Sequence, residues 1–290
     1  AHDVGLEFYA YVDPWNMGGP PEYGYESQSG FLVEHPEYLA QDRTGTRRQW
    51  GILEFAYPEA RRFWVDVFEK LMLRYRDLDG IFMDTRTEGV CIDFADQYGF
   101  NEPVVEEYER RHGVNILEEN FDLEQWRRLR GEYLTQFVKE SKAVVSRHGG
   151  KLGVGTSRGD YIGYPIGNIH LDWRTWVRET LVDHLYLDHY GYCWWNKGAR
   201  SPKVKPYGFL VDLMHGENHH VMDRERAIGI NDAGADVSEV YGPLCAEHGV
   251  ELFVGGSYAN RFYSEQEQEK LLQMPLLTGL TVNRNLWKEL

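Results

Sequence analysis

Short apolar runs rich in β-branched and aromatic residues alternate with longer stretches of helical periodicity along the whole chain. That alternation predicts repeated βα units around a parallel sheet. Strands are expected near Leu6 to Val12, Gly80 to Met83, Leu152 to Gly155, His184 to Leu187, Tyr207 to Val211 and Glu251 to Val254. Further candidates lie at Gly51 to Phe55 and Leu280 to Val282. A helix is expected from Pro58, with proline and Glu59 in the first turn and Phe63, Val67, Leu71 and Tyr75 each four residues apart. A second runs from about Glu124 to Arg147, where Leu129, Tyr133, Phe137, Val144 and Val145 share one face and His148-Gly149-Gly150 stops it. Shorter helices are expected near Trp173 to Leu181, Arg224 to Ala233 and Glu265 to Met274.

This pattern reads as one α/β domain over residues 1–290, a (β/α)8 TIM-type barrel that lacks or modifies one strand. A doubly wound open sheet is the competing architecture, although no G-x-G-x-x-G follows a strand. The segment at about 13–51, rich in Gly, Pro and Tyr, is too long for a plain connection and suggests a loop elaborated over a site.

Composition narrows the function classes. A 42% hydrophobic fraction fills a core without a metal or disulfide staple. The net charge of -15 repels phosphate backbones, so nucleic acid is not an expected partner. No run approaches ~18 consecutive apolar residues, so no membrane span is expected. Cys91, Cys193 and Cys245 are odd in number and widely spaced, a pattern that suggests neither a zinc ribbon nor a disulfide framework. Residues 1–5 lack the pattern of a signal peptide, as a processed chain would. Nine Trp and nineteen Tyr exceed what capping a core requires, which places some aromatics at a surface or in a cleft.

Parallel α/β folds carry their sites at the carboxyl ends of the strands. The strand ends here read Tyr11-Val12-Asp13-Pro14-Trp15, Phe82-Met83-Asp84-Thr85-Arg86, Gly155-Thr156-Ser157-Arg158, Tyr186-Leu187-Asp188-His189-Tyr190 and Val211-Asp212-Leu213-Met214-His215. Four of these five carry an aspartate. A single such Asp often does no more than close its own turn. The recurrence is the functional signal. Asp84 ends a buried strand with Arg86 two positions on, a combination that suits a nucleophile or transition-state stabiliser; a structural Asp–Arg pair fixing the loop is the plainer reading. Asp188, followed by His189, Tyr190, Tyr192, Trp194 and Trp195, is the partner whose ring walls would desolvate a carboxyl and suit it to general-acid work.

Asp13, Asp212 and Glu217 are alternative acids, and Glu54 and Glu88 also lie near strand ends. Trp15 and Trp194 are candidate stacking platforms, with Arg86, Arg158 and His189 for hydroxyls, whereas Trp173 and Trp176 start a helix and read as core. The run His215-Gly216-Glu217-Asn218-His219-His220 lacks the spacing of a closed metal site and reads as a polar loop, so no metal and no cofactor are expected. The missing G-x-S-x-G elbow and P-loop count against esterase and phosphoryl-transfer chemistry.

The stretches His35-Pro36-Glu37-Tyr38, Asp42-Arg43-Thr44-Gly45, Leu53-Glu54-Phe55-Ala56-Tyr57-Pro58-Glu59-Ala60-Arg61 and Leu78 to Arg86 resemble the bacterial glycosyl-hydrolase-like barrels labelled "family 10-like", which are distinct from true xylanases. The likeness covers roughly the first third of the chain. It implies a (β/α)8 barrel acting on polysaccharide in a secreted or periplasmic protein, with Asp84 on the family's acidic strand end. Barrel glycosidases with an Asp nucleophile after the fourth strand and an Asp acid after the sixth offer a positional analogy for Asp84 and Asp188. The resulting expectation is an O-glycosyl hydrolase acting on a poly- or oligosaccharide, with retention favoured. A non-catalytic carbohydrate-binding barrel, and a metal-dependent hydrolase or deacetylase using Asp212, His215, Glu217 and His219, are the alternatives.

Overall fold

A computed structural model describes residues 2–18, 29–85, 96–156, 159–163, 166–187, 240–255, 273 and 277–281. Among these residues the centre is a six-stranded sheet in which every neighbouring pair is parallel. In chain order the strands are β1 (Tyr9–Val12), β2 (Leu39–Gln41), β3 (Arg48–Leu53), β4 (Gly80–Asp84), β5 (Lys151–Thr156), β6 (Tyr161–Gly163), β7 (Gly167–His170), β8 (His184–Leu187), β9 (Glu251–Gly255) and β10 (Leu277–Thr281). The main sheet runs β1-β4-β5-β8-β9-β10, while β2-β3 and β6-β7 form separate antiparallel pairs.

Helices α1 (Gly30–Glu34), α2 (Pro58–Arg74), α3 (Glu102–His112), α4 (Leu123–Arg147), α5 (Trp173–Arg178) and α6 (Gly242–His248) fill the connections. Helix α2 starts on Pro58 and α4 is capped by Asp122, whose Oδ1 accepts from Glu124 N and Gln125 N at 2.9 and 3.1 Å. Period-2 alternation then sorts the strands' side chains. Ile81, Met83, Leu152, Val154, Leu185, Leu187 and Leu252 are buried in one cluster with Phe68 of α2, Phe137 and Val145 of α4 and Trp176 of α5. The opposite face carries Tyr9, Tyr11, Phe82, Asp84, His184, Tyr186, Glu251 and Phe253.

One expectation changes. The candidate strand at Gly51 to Phe55 is hydrogen-bonded to β2, not to the main sheet. Its apolar run is buried on the core cluster, which explains why it looked like a barrel strand. The candidate strand at Tyr207 to Val211 lies outside the described residues, as do the helices expected near Arg224 to Ala233 and Glu265 to Met274. The register passes directly from His184–Leu187 to Glu251–Val254. Trp173 and Trp176 are fully buried, as their position at a helix start suggested.

Candidate active site

Asp84 is the last residue of β4 and its Cα pairs with Gly155 of β5, so it stands at the carboxyl end of the sheet on the face away from the helices. It is 0% exposed. Gly155 makes this possible: a Cβ there would come within 2.8 Å of the Phe82 ring and 3.2 Å of Asp84 Oδ1. The Tyr11 hydroxyl, on β1, donates to Asp84 Oδ2 at 2.5 Å. Tyr11 itself is 52% exposed, and its ring stacks on Phe82 with centroids 5.8 Å apart. Phe82 meets Tyr186 edge-on, and Tyr186 stacks on Phe253, so a row of rings crosses the face below this corner.

The segments around Asp84 are held from both sides. Thr85 N and Oγ1 both donate to Gly155 O at 3.0 Å, fixing the exit of β4. Further along the chain, Asp96 accepts from Arg127 Nε and Nη2 at 3.0 and 2.8 Å and from Asn168 Nδ2 at 3.2 Å. Gly99 and Phe100 then donate to Gln41 O of β2, and Asn101 bridges Gln41 N and Leu39 O. Helix α4 ends next to the amino end of β5, so Arg127 and Arg130 near its start lie toward the carboxyl end of the sheet. Arg130 pairs with Glu54 at 3.1 Å with both side chains buried, and stacks over Trp126. Gly99, at φ +115°, lies against the same guanidinium, where a Cβ would sit 2.2 Å from Nε. The loops after β1 and β4 are therefore tied to each other and to α4.

Not every expected site residue joins this corner. Trp15, expected as a sugar platform, is 0% exposed and packs on Phe55. That corrects the expectation: its indole fills the core under the first loop. The half-buried Asp13 accepts from Trp15 N at 3.3 Å, closing the turn that buries this ring. Glu54, a possible acid, is committed to Arg130 and is part of the scaffold. Arg86, Glu88, Arg158, Asp188, His189, Trp194, Trp195, Asp212, His215, Glu217 and His219 lie outside the described residues. Asp84 ends the second strand of the sheet, not the fourth, and Leu187 ends the fourth.

Sequence reasoning missed Tyr11. It inspected residues after each apolar run, but alternation along β1 puts Tyr9 and Tyr11 on the face shared by Phe82 and Asp84. Away from the strand ends, a groove of about 320 Å³ between α4 and α5 is lined by Arg128, Lys139, His170 and Glu179. It opens on the outer, helical side. Burial pushes the His170 imidazole below its ordinary range. Among the described residues no cluster of His, Cys, Asp or Glu is arranged to hold a metal, and no helix is long and apolar enough to cross a membrane.

Residues 3–201 match the family model described as Glycosyl hydrolase-like 10. Among solved structures, the catalytic domain of a β-amylase from Paenibacillus polymyxa is similar at 10% identity and TM-score 0.54, covering 98% of this chain and 77% of its own. A β-galactosidase from the psychrophilic Marinomonas ef1 is similar at 15% identity and TM-score 0.50 over 87% of this chain. The chain spans 38% of that β-galactosidase's length. At these identities the likeness shows the fold, the α/β architecture of the glycosidase TIM barrels. No curated protein matches the chain in sequence.

Proposed function

The chain belongs to the glycosyl hydrolase-like 10 family, and from that premise we infer that it hydrolyses O-glycosidic bonds in a poly- or oligosaccharide. The observation that carries this reading is the corner at the carboxyl ends of β1, β4 and β5, where a buried Asp84 underlies a solvent-facing Tyr11. Barrel enzymes do their chemistry at that end of the sheet. Asp84 serves as nucleophile or stabiliser of the positive charge that builds on the sugar ring. Asp188, which follows β8 two strands away, serves as acid/base. Arg86 and His189 orient the pair, and Asp13, Arg158, Trp194, Asp212 and Glu217 contact sugar around it. The product keeps the anomeric configuration of the substrate.

Screening the purified protein against bacterial, algal and plant polysaccharides, then following the anomeric proton of the first product by NMR, tests this reading. Turnover with retention is expected. The burial of Asp84 favours one rival, a carbohydrate-binding barrel without catalysis. Saturable binding of a glycan that is never cleaved would decide for the rival.

A further inference from the structure

The carboxylate on which the site is built is enclosed, and the group in contact with it is open. Asp84 is fully buried, whereas Tyr11, bonded to its Oδ2, is half-exposed. The phenol is also held in place: its ring lies 20° from coplanar with Phe82, and Phe82 is seated over Gly153 and Gly155. A buried carboxylate that accepts the hydroxyl proton of a half-exposed tyrosine is the arrangement of a base behind a nucleophile. Phenols replace carboxylates as nucleophiles in some retaining glycosidases.

We propose that Tyr11 is a catalytic residue of this site, its phenol oxygen attacking the anomeric carbon of the bound sugar while Asp84 takes the phenol proton. This rests on the glycosidase reading and decides within it which group attacks. In the first step the bond from Tyr11 Oη to the anomeric carbon forms as the bond to the glycosidic oxygen breaks. The leaving oxygen keeps that electron pair and takes a proton from the acid, assigned above to Asp188. The Tyr11 proton passes to Asp84 Oδ2. In the second step water attacks the anomeric carbon and gives a proton to the conjugate base of the acid. The phenol oxygen leaves and recovers its proton from Asp84, restoring every group. Asp84 then works without being exposed, and Tyr11 does not need to move off it.

The substitution Tyr11→Phe keeps the ring on Phe82 and removes the attacking oxygen; it is expected to lower kcat by about 1,000-fold or more on the polysaccharide selected by screening. Because Tyr11→Phe also removes the hydrogen bond to Asp84, the wild-type protein is in addition treated with the 2-deoxy-2-fluoro glycosyl fluoride of the same sugar and digested for mass spectrometry. Sugar mass on Tyr11 supports the proposal. Sugar mass on Asp84 or any other residue, turnover with no labelled peptide, or a Tyr11→Phe protein with wild-type kcat overturns it. In those three cases an inactive Asp84→Asn protein leaves the glycosidase reading standing. A wild-type protein that cleaves no polysaccharide removes that reading and this proposal together.

Discussion

At the amino end of the sheet, Tyr9 donates its hydroxyl to Glu7 at 2.5 Å and shares a hydrogen bond of 2.7 Å with His184 Nε2. His184 Nδ1 lies 3.0 Å from Glu251, and Lys151 reaches Glu7 at 2.5 Å. Two residues further along the same strand, Tyr11 donates its hydroxyl to Asp84 and is half-exposed, with its ring stacked on Phe82. Both ends thus join a tyrosine to a carboxylate on the same face of the sheet. At the amino end the tyrosine is the middle of a chain of partners, and burial together with Glu7 raises the Tyr9 phenol well above its ordinary range. Lys151 and Tyr9 hold the Glu7 carboxyl below the usual carboxylate range. At the carboxyl end the tyrosine is half-exposed while the carboxylate it bonds is buried. A closed network stabilises, and an open one can turn toward a substrate.

The sharpest way to break this contrast is to cut each end separately. Asp84→Asn is expected to lower kcat about 10,000-fold, or ~5 kcal/mol of barrier, with little change in the thermal midpoint. His184→Gln should do the reverse, lowering the thermal midpoint at unchanged kcat. A His184→Gln protein that loses activity but not stability would erase the distinction. The scaffold behind the open end is tested by Arg130→Met, which leaves Glu54 buried without its guanidinium; urea unfolding should show a loss of roughly 3 kcal/mol.

A subtler test uses pH. Burial pushes the His184 imidazole below its ordinary range, with Glu251 opposing. When the folded pKa is the lower one, stability is complete above the unfolded pKa near 6.5 and declines as pH falls through the interval between the two. Each pH unit of that interval is worth about 1.4 kcal/mol. Thermal midpoints measured from pH 8 down to 5 should therefore fall more steeply for wild type than for His184→Gln; parallel curves would remove His184 as a contributor. The smallest effect expected is that of Asp122→Ala, which uncaps α4 for about 1 kcal/mol in the same urea assay.

How far the sequence carried the fold depended on whether the signal was local. Pro58 and the four-residue spacing of Phe63, Val67 and Leu71 placed α2, which ends at Arg74, and the Gly-Gly stop placed the end of α4. The strand at His184–Leu187 has the bounds that its apolar run suggested. Helix α3 was overlooked although Pro103 in its first turn and Gly113 at φ 67° after its end are ordinary boundary signals. The assignment of β3 failed for another reason, because an apolar run reports burial and not which strand it pairs with. In the site, Asp84 was legible from its place after a buried run. Trp15 was misjudged since nothing nearby in sequence announces that Phe55 will lie against it. The Asp96–Arg127 and Glu54–Arg130 pairs join residues 31 and 76 positions apart, beyond the reach of any spacing rule.

The central claim is that sugar is bound and cleaved where β1, β4 and β5 end. A crystal structure of the Asp84→Asn protein soaked with an oligosaccharide of the cleaved polysaccharide tests it most directly. The account predicts a sugar ring over that corner, its anomeric carbon within ~3.5 Å of Tyr11 Oη. A sugar held instead in the outer groove between α4 and α5, with the Tyr11 corner empty, would contradict it.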